Sequence, residues 1–165
     1  GPTYMLPFAE DCIHFTNHGE RRLGEYFAKA YARVLAGGWE PVRPLSATRS
    51  GDVVTIRFAV PAPPLVLDTE HVADPGSYGF EWLDESGNAG TIEDVRVSGA
   101  DTVAIKLASA PSGPGRIRYA MRATPYTCPG PATGPRGNLR DSDTTPSMYG
   151  YDLSNWAVHF DMQVE

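Results

Sequence analysis

The sequence predicts a mainly β protein, an antiparallel β-sandwich of jelly-roll type preceded by one N-terminal amphipathic helix. Three observations carry this. Four runs after residue 39 alternate apolar and polar residues with a period of two, the pattern of strands that have one buried and one wet face. Gly 17 and Pro 15 in 165 residues supply many turns, which suits short strands better than a helical bundle. A helical period occurs in one place only, ahead of Gly37.

The helix comes first. Thr16 or Asn17 is placed to cap it, and Glu20 stands where a capping-box acid belongs. Leu23, Phe27, Ala30 and Val34 recur at i, i+4, i+7 and i+11, with Tyr26 and Tyr31 widening the stripe. Arg21, Arg22, Glu25, Lys29 and Arg33 fill the other face, and Gly37-Gly38 ends the helix as a C-cap requires. So apolar a stripe is expected to pack, either on the sandwich or on a domain upstream.

The strands follow. Val54-Ile56-Phe58-Val60, Val103-Ile105-Leu107, Ile117-Tyr119-Met121 and Trp156-Val158-Phe160-Met162 each place their apolar residues on one face. Weaker strands are expected at Val42–Thr48, Leu65–Asp68, Gly79–Asp84 and Thr91–Ser98. Ser50-Gly51-Asp52, Ser86-Gly87-Asn88, Ser98 to Asp101 and Ser112 to Gly115 read as the turns between them. Seven or eight short strands at this spacing make a sandwich. From Tyr126 to Tyr151 no period is sustained, and a loop of that length inside a compact domain is usually functional or disordered.

Net charge −6 argues against nucleic acid as a partner, since phosphate binding needs a basic surface, and against docking on anionic lipid. No stretch approaches the ~20 apolar residues of a membrane span. Gly1-Pro2 resembles the remnant of a cleaved purification tag, so the natural start is expected upstream. Cys12 and Cys128 are the two cysteines; they have the option of one bridge across a long loop, but two unpaired thiols is the plainer expectation. Neither has metal-ligand spacing, and no metal or other cofactor is expected. Asp141-Ser142-Asp143 offers oxygens to calcium, but the rest of a calcium loop is missing. His18, His71 and His159 show no partner spacing and are expected in solvent.

One segment carries chemistry. Asp11-Cys12-Ile13-His14-Phe15-Thr16-Asn17-His18-Gly19 resembles the last conserved block of the SGNH (GDSL-type) hydrolases, and Gly19 to Ala36 is similar to the final helix of that family. The likeness spans about 30 residues and rests mostly on Asp11, His14 and Gly19. It implies His14 as general base and Asp11 as the carboxylate that orients it. The chemistry suits these residue types, because a serine hydroxyl is a weak nucleophile until an imidazole takes its proton. The imidazole in turn needs a carboxylate on its other nitrogen to fix its tautomer. The family's Gly-Asp-Ser nucleophile block has no counterpart, since the one Gly-Asp, Gly51-Asp52, continues into Val53. No Gly-x-Ser-x-Gly elbow occurs either. Asp11 and His14 are therefore at most two-thirds of a triad, and this chain alone is not expected to hydrolyse esters. The expected division is 1–38 as the terminal loop and helix of an SGNH-type domain, and 39–165 as the sandwich.

Sandwiches attached to carbohydrate esterases, and to phage-like spike and adhesion proteins, commonly bind glycans or brace the catalytic domain. The resemblance thus implies an accessory module of a larger protein at the cell exterior or on a particle surface. Its expected partners are a cell-surface polysaccharide, an SGNH-like domain upstream, and possible further copies of itself. Sugars are held by aromatic faces with polar groups around them. Candidates are Asn138, Arg140, Asp141, Asp143, Tyr149 and Tyr151 in the long loop, with Trp82 and Trp39 in addition. Each has a plainer role: Trp156 and Trp82 as core, Arg140 and Asp141 as a local ion pair. Two other readings stand beside this one. In one, Ser142 or Ser147 folds against His14 to complete a hydrolase. In the other, the module serves bracing or assembly.

Overall fold

The computed structural model describes residues 1–122 and 127–165. One helix, α1 (Asn17–Leu35), precedes ten strands: β1 (Arg43–Ser50), β2 (Val53–Ala59), β3 (Val66–Leu67), β4 (Phe80–Asp84), β5 (Ala89–Gly90), β6 (Ile92–Gly99), β7 (Thr102–Leu107), β8 (Gly115–Tyr119), β9 (Leu139–Arg140) and β10 (Phe160–Val164). All pairings are antiparallel. One four-stranded sheet has the order β1-β2-β7-β6, the other β10-β8-β4-β5, and β3 pairs with β9 apart from both.

The alternation read from the sequence becomes the core. Val54, Ile56 and Phe58 of β2, with Val103, Ile105 and Leu107 of β7, meet Phe80, Trp82, Ile117 and Tyr119 of β4 and β8. Phe80, Tyr119 and Phe160 form an aromatic group, with ring centroids 4.8 Å apart for the first pair and 5.5 Å for the second. The glycines of the outer sheet leave room for this packing: a Cβ on Gly115 would lie 2.2 Å from the Trp82 indole. Tyr4, Met5 and Leu6 are buried in the same core as the sandwich. The Tyr4 hydroxyl donates to the Ala157 carbonyl at 2.8 Å and lies 3.2 Å from the Tyr119 hydroxyl.

Two local expectations are corrected. β8 stops at Tyr119 because Ala120 takes φ 57, which turns Met121 out to solvent. The last strand begins at Phe160, not Trp156: Ala157 and Val158 instead donate to the Leu139 and Val42 carbonyls, closing the gap between the sheets. Trp156 is nonetheless buried, as its place on an apolar face predicted.

The helix is capped by Thr16, whose hydroxyl accepts the Gly19 N–H at 3.2 Å. Gly19 is required by contact. A Cβ there would lie 2.5 Å from the Pro7 carbonyl oxygen. The expected apolar stripe meets the sandwich only in part: Leu23 and Tyr26 are half-buried against its core, and the rest faces outward. Phe27, Tyr31, Val34 and Leu35 are 55–71% exposed. The polar contacts of α1 come from Arg22, Tyr26, Lys29 and Arg33, and they fall on the long loop and on residues 153–155 rather than on a sheet. Lys29 donates to the Leu153 carbonyl and to Asn155 Oδ1 (2.7 Å), and it pairs with Asp143 at 3.0 Å. Tyr26 donates to the Ser154 carbonyl at 3.0 Å, and Glu25 accepts from the Ser147 hydroxyl at 2.6 Å. The loop without periodicity is thus largely the bed on which α1 lies; its first residue, Tyr126, is outside the described residues. No helix among the described residues is long and apolar enough to cross a membrane.

Candidate functional site

Asp11 and His14 stand on the tight turn just before α1. Asp11 Oδ1 accepts the backbone N–H groups of Ile13 (3.1 Å) and His14 (3.0 Å), an Asx turn that brings the two side chains together. Asp11 Oδ2 is then 2.7 Å from His14 Nδ1. That contact fixes the ring with Nδ1 on the carboxylate, so Nε2 is the nitrogen left to meet a substrate or a hydroxyl. Both side chains are open to solvent, at 49% and 75% exposure. The His14 side-chain hydrogen bond, followed by the backbone N–H bonds, lowers the Asp11 carboxyl to about 2. The bond to Asp11 and then its charge raise the His14 imidazole above its usual value, and Glu20 adds to this more weakly. The pair is an imidazole whose Nδ1 is held on a carboxylate that favours its positive form, an arrangement able to stabilise an imidazolium formed by proton uptake at Nε2.

No serine hydroxyl among the described residues hydrogen-bonds to His14. Ser142 donates to the Pro64 carbonyl at 2.7 Å and Ser147 to Glu25 at 2.6 Å. The expectation that one of them completes a hydrolase within this chain therefore fails on geometry.

The cysteines are joined. Cys12 and Cys128 form a disulfide with Cα atoms 4.7 Å apart, across a separation of 116 residues. This corrects the expectation of two free thiols; the fold brings the 127–134 segment under the dyad turn.

The candidate sugar residues divide by burial. Asn138, Asp141, Asp143 and Trp82 are enclosed and do not present surface to a glycan. Asn138 Nδ2 donates to the Asp68 and Val72 carbonyls. Asp141 accepts from the N–H groups of Ala62, Asp143 and Asn155 and from Asn155 Nδ2. Asp143 pairs with Lys29 and Arg33. Burial disfavours its charge, but hydrogen bonds from Thr145 and Lys29 outweigh that and hold its carboxyl at about 2. Arg140, Tyr149 and Tyr151 keep exposed surface. Each tyrosine ring carries a guanidinium from α1, Arg21 5.0 Å from the Tyr149 centroid and Arg22 4.7 Å from that of Tyr151. Trp39 is half-buried beside α1 and lines an apolar pocket there.

A second Asp-x-x-His turn escaped the sequence reading. Asp68 Oδ1 accepts the N–H groups of Glu70 (3.0 Å) and His71 (2.8 Å), and Oδ2 is 2.9 Å from His71 Nδ1. His71 is therefore paired, not simply solvated; the i, i+3 spacing that marked Asp11 and His14 was present here too. Arg140 does not pair with Asp141 but with Asp68, its Nε 2.6 Å from Oδ2. His71 and Arg140 line a small cleft with Arg22, Asp152, Ser154 and Trp156. His159 holds the Ala120 carbonyl through Nδ1 at 2.6 Å, which also removes it from the solvated group.

No family profile matches the chain, and no curated protein matches it in sequence. Among solved structures it is similar to a carbohydrate acetylesterase from Xanthomonas citri, with a TM-score of 0.58 and 17% identity over 91% of this chain. The chain spans 29% of the length of that enzyme. It is also similar to the N-terminal part of the bacterial S-layer protein SbsC (TM-score 0.45, 13% identity, 93% of this chain and 29% of that one). A longer SbsC structure, of domains 1–6, gives 0.47 and 13% over 93% of this chain and 17% of its own. At these identities the likeness to the acetylesterase is one of fold.

Proposed function

We propose that this chain is a module of a larger carbohydrate esterase of SGNH type. In this reading Asp11 and His14 are the acid–base half of its triad, and the sandwich is the accessory part that meets a polysaccharide. The observation that carries the proposal is the Asp11–His14 pair: Nδ1 is fastened to a carboxylate at 2.7 Å, and among the described residues no nucleophile hydrogen-bonds to Nε2. His14 takes the proton of a serine hydroxyl supplied by the upstream domain, and Asp11 stabilises the imidazolium that forms. Segment 1–38, although Tyr4, Met5 and Leu6 lie in the sandwich core, then offers the outer face of α1 to that upstream domain. The exposed stripe Phe27, Tyr31, Val34 and Leu35 supports this, because contiguous apolar surface of this kind is normally covered. So does a pocket of about 210 Å³ beside it, lined in part by Met5, Leu23, Phe27, Trp39 and Trp156. A disulfide favours an oxidising compartment, in line with a place outside the cell or on a particle surface.

The test is hydrolysis of an aryl acetate and of acetylated polysaccharide by the full-length parent. His14→Ala is expected to lower kcat by roughly 10⁴-fold, as loss of a triad member does, while the isolated chain stays inert. A parent whose turnover survives His14→Ala overturns the proposal.

Glycan recognition rests on a separate surface, where Tyr149 and Tyr151 pair with Arg21 and Arg22 and Arg140 stands beside His71. Saturable binding to acetylated capsule or cell-wall polysaccharide, lost when Arg140, Tyr149 and Tyr151 are replaced together by Ala, supports that surface. Affinity unchanged in the triple variant removes it. A folded chain that binds no glycan and self-associates would favour bracing or assembly instead.

A further inference from the structure

We infer that the Cys12–Cys128 disulfide is a positioning device for the Asp11–His14 pair, so that the presentation of His14 depends on the bridge being closed. The inference rests on His14 being the general base of the proposed function.

The molecule contains its own comparison. The two Asp-x-x-His turns share one internal hydrogen-bond pattern but are secured differently. At Asp68–His71 the clamps are side chains and strand contacts: Arg140 Nε reaches Asp68 Oδ2 at 2.6 Å, and Asn138 Nδ2 holds the carbonyls of Asp68 and Val72 at 2.8 and 2.5 Å. The Asp68 N–H donates to the Asn138 carbonyl at 2.7 Å. The Asp68 side chain is 3% exposed, so the whole turn is anchored in the sandwich.

The Asp11–His14 turn has none of this. Among the described residues, every hydrogen bond and ion pair of residues 10–14 stays within residues 9–14. The Ala9 N–H donates to the His14 carbonyl at 2.8 Å, the Cys12 N–H to the Ala9 carbonyl at 3.0 Å, and the rest join Asp11 to its own turn. What ties the tip to distant chain is the bond from Cys12 to Cys128. Cys12 itself sits at φ 63, a left-handed conformation that an L side chain disfavours because Cβ crowds the following carbonyl. A residue in such a conformation persists only where its surroundings hold it there. The tether stands between the two residues of the dyad, and without it the tip is free to relax and the Nδ1–Oδ2 contact to open. The charged groups bearing on His14 are Asp11 and, more weakly, Glu20; both favour the imidazolium, and only Asp11 does so through a contact the turn must hold.

The experiment is an NMR pH titration of the histidine ring resonances of this chain. Three samples are compared: oxidised, reduced with dithiothreitol, and Cys12→Ser with Cys128→Ser. With the bridge closed, His14 is expected to titrate above the ordinary imidazole value of about 6.5, and without it to fall toward that value. The ring resonances of His71, in the matching turn that has no bridge, serve as the control for the fold and are expected to keep their chemical shifts at fixed pH when the bridge is opened. An unchanged His14 titration in both the reduced and the serine samples, with His71 also unchanged, overturns the inference. Should the serine pair unfold, which His71 would report, the reduced sample gives the same reading. In the full-length parent, reduction is expected to lower kcat about 10²-fold with little change in KM, and reoxidation to restore it. A reduced parent that keeps full kcat while His14→Ala is inactive overturns the positioning role and leaves the esterase reading intact. A parent that stays active as His14→Ala refutes the esterase reading instead.

Discussion

Replacing Lys29 by Met removes one charge from the cluster that fastens α1 to the segment before β10. Lys29 and Asp143 each have side chains only 5% exposed and lie 3.0 Å apart. Methionine keeps the length of the stem, so little cavity opens, and the main loss is electrostatic. The variant leaves the Asp143 carboxylate buried with the Thr145 N–H (2.8 Å) and hydroxyl, Asn155 Nδ2 (3.3 Å) and Arg33 (3.2 Å) as partners. Breaking a buried pair from one side costs about 3–5 kcal/mol. Arg33 remains, but its side chain is 45% exposed, so it offsets only about 1 kcal/mol. The expected loss is therefore about 3 kcal/mol, measured by urea unfolding at pH 7 with tryptophan fluorescence as the probe. Adding Asp143→Asn to Lys29→Met removes the stranded charge and is expected to recover part of that loss. A single-variant loss below about 1 kcal/mol would refute the view that this ion pair, rather than apolar contact, docks the helix.

Because Asp143 is held at about 2 in the folded chain against an ordinary 3.8, its contribution is fully present above pH 4 and is lost as pH falls toward 2. The loss is about 2 kcal/mol by linkage, read from urea midpoints across that range, and it should shrink in Lys29→Met. Tyr119→Phe strips the buried Leu139 N–H of its acceptor at 2.8 Å, and a cost of about 1–3 kcal/mol is expected in urea unfolding. Gly115→Ala forces a methyl group against Trp82, and thermal unfolding should show Tm lower by about 4–8 °C. Opening the Cys12–Cys128 bridge frees a loop of 116 residues in the unfolded chain, and the chain-entropy limit of that loss is about 5 kcal/mol, measurable by comparing oxidised and reduced unfolding curves.

What the sequence determined by itself was whatever is encoded by residues near one another in the chain. The period-two runs at Val54–Phe58, Val103–Leu107 and Ile117–Tyr119 became core strands, because a pleated strand puts alternate side chains on one face whatever its neighbours are. The cap at Thr16 and the Asp11–His14 contact are also local, each formed within a few residues. The sequence located the apolar stripe of α1 but could not say what it faces, since periodicity shows which residues share a face and not which face meets the fold. Tertiary structure turned Lys29 inward beside Leu23 and Tyr26, because Asp143, Asn155 and the Leu153 carbonyl converge there on it. Burial decided the sugar candidates in the same way: Asn138, Asp141 and Asp143 look like loop residues in one dimension and are held by distant backbone groups in three. The disulfide, and the difference between a dyad anchored in the sandwich and a dyad on a tether, depend on chain segments more than 60 residues apart in sequence, whose proximity only the closed sandwich provides.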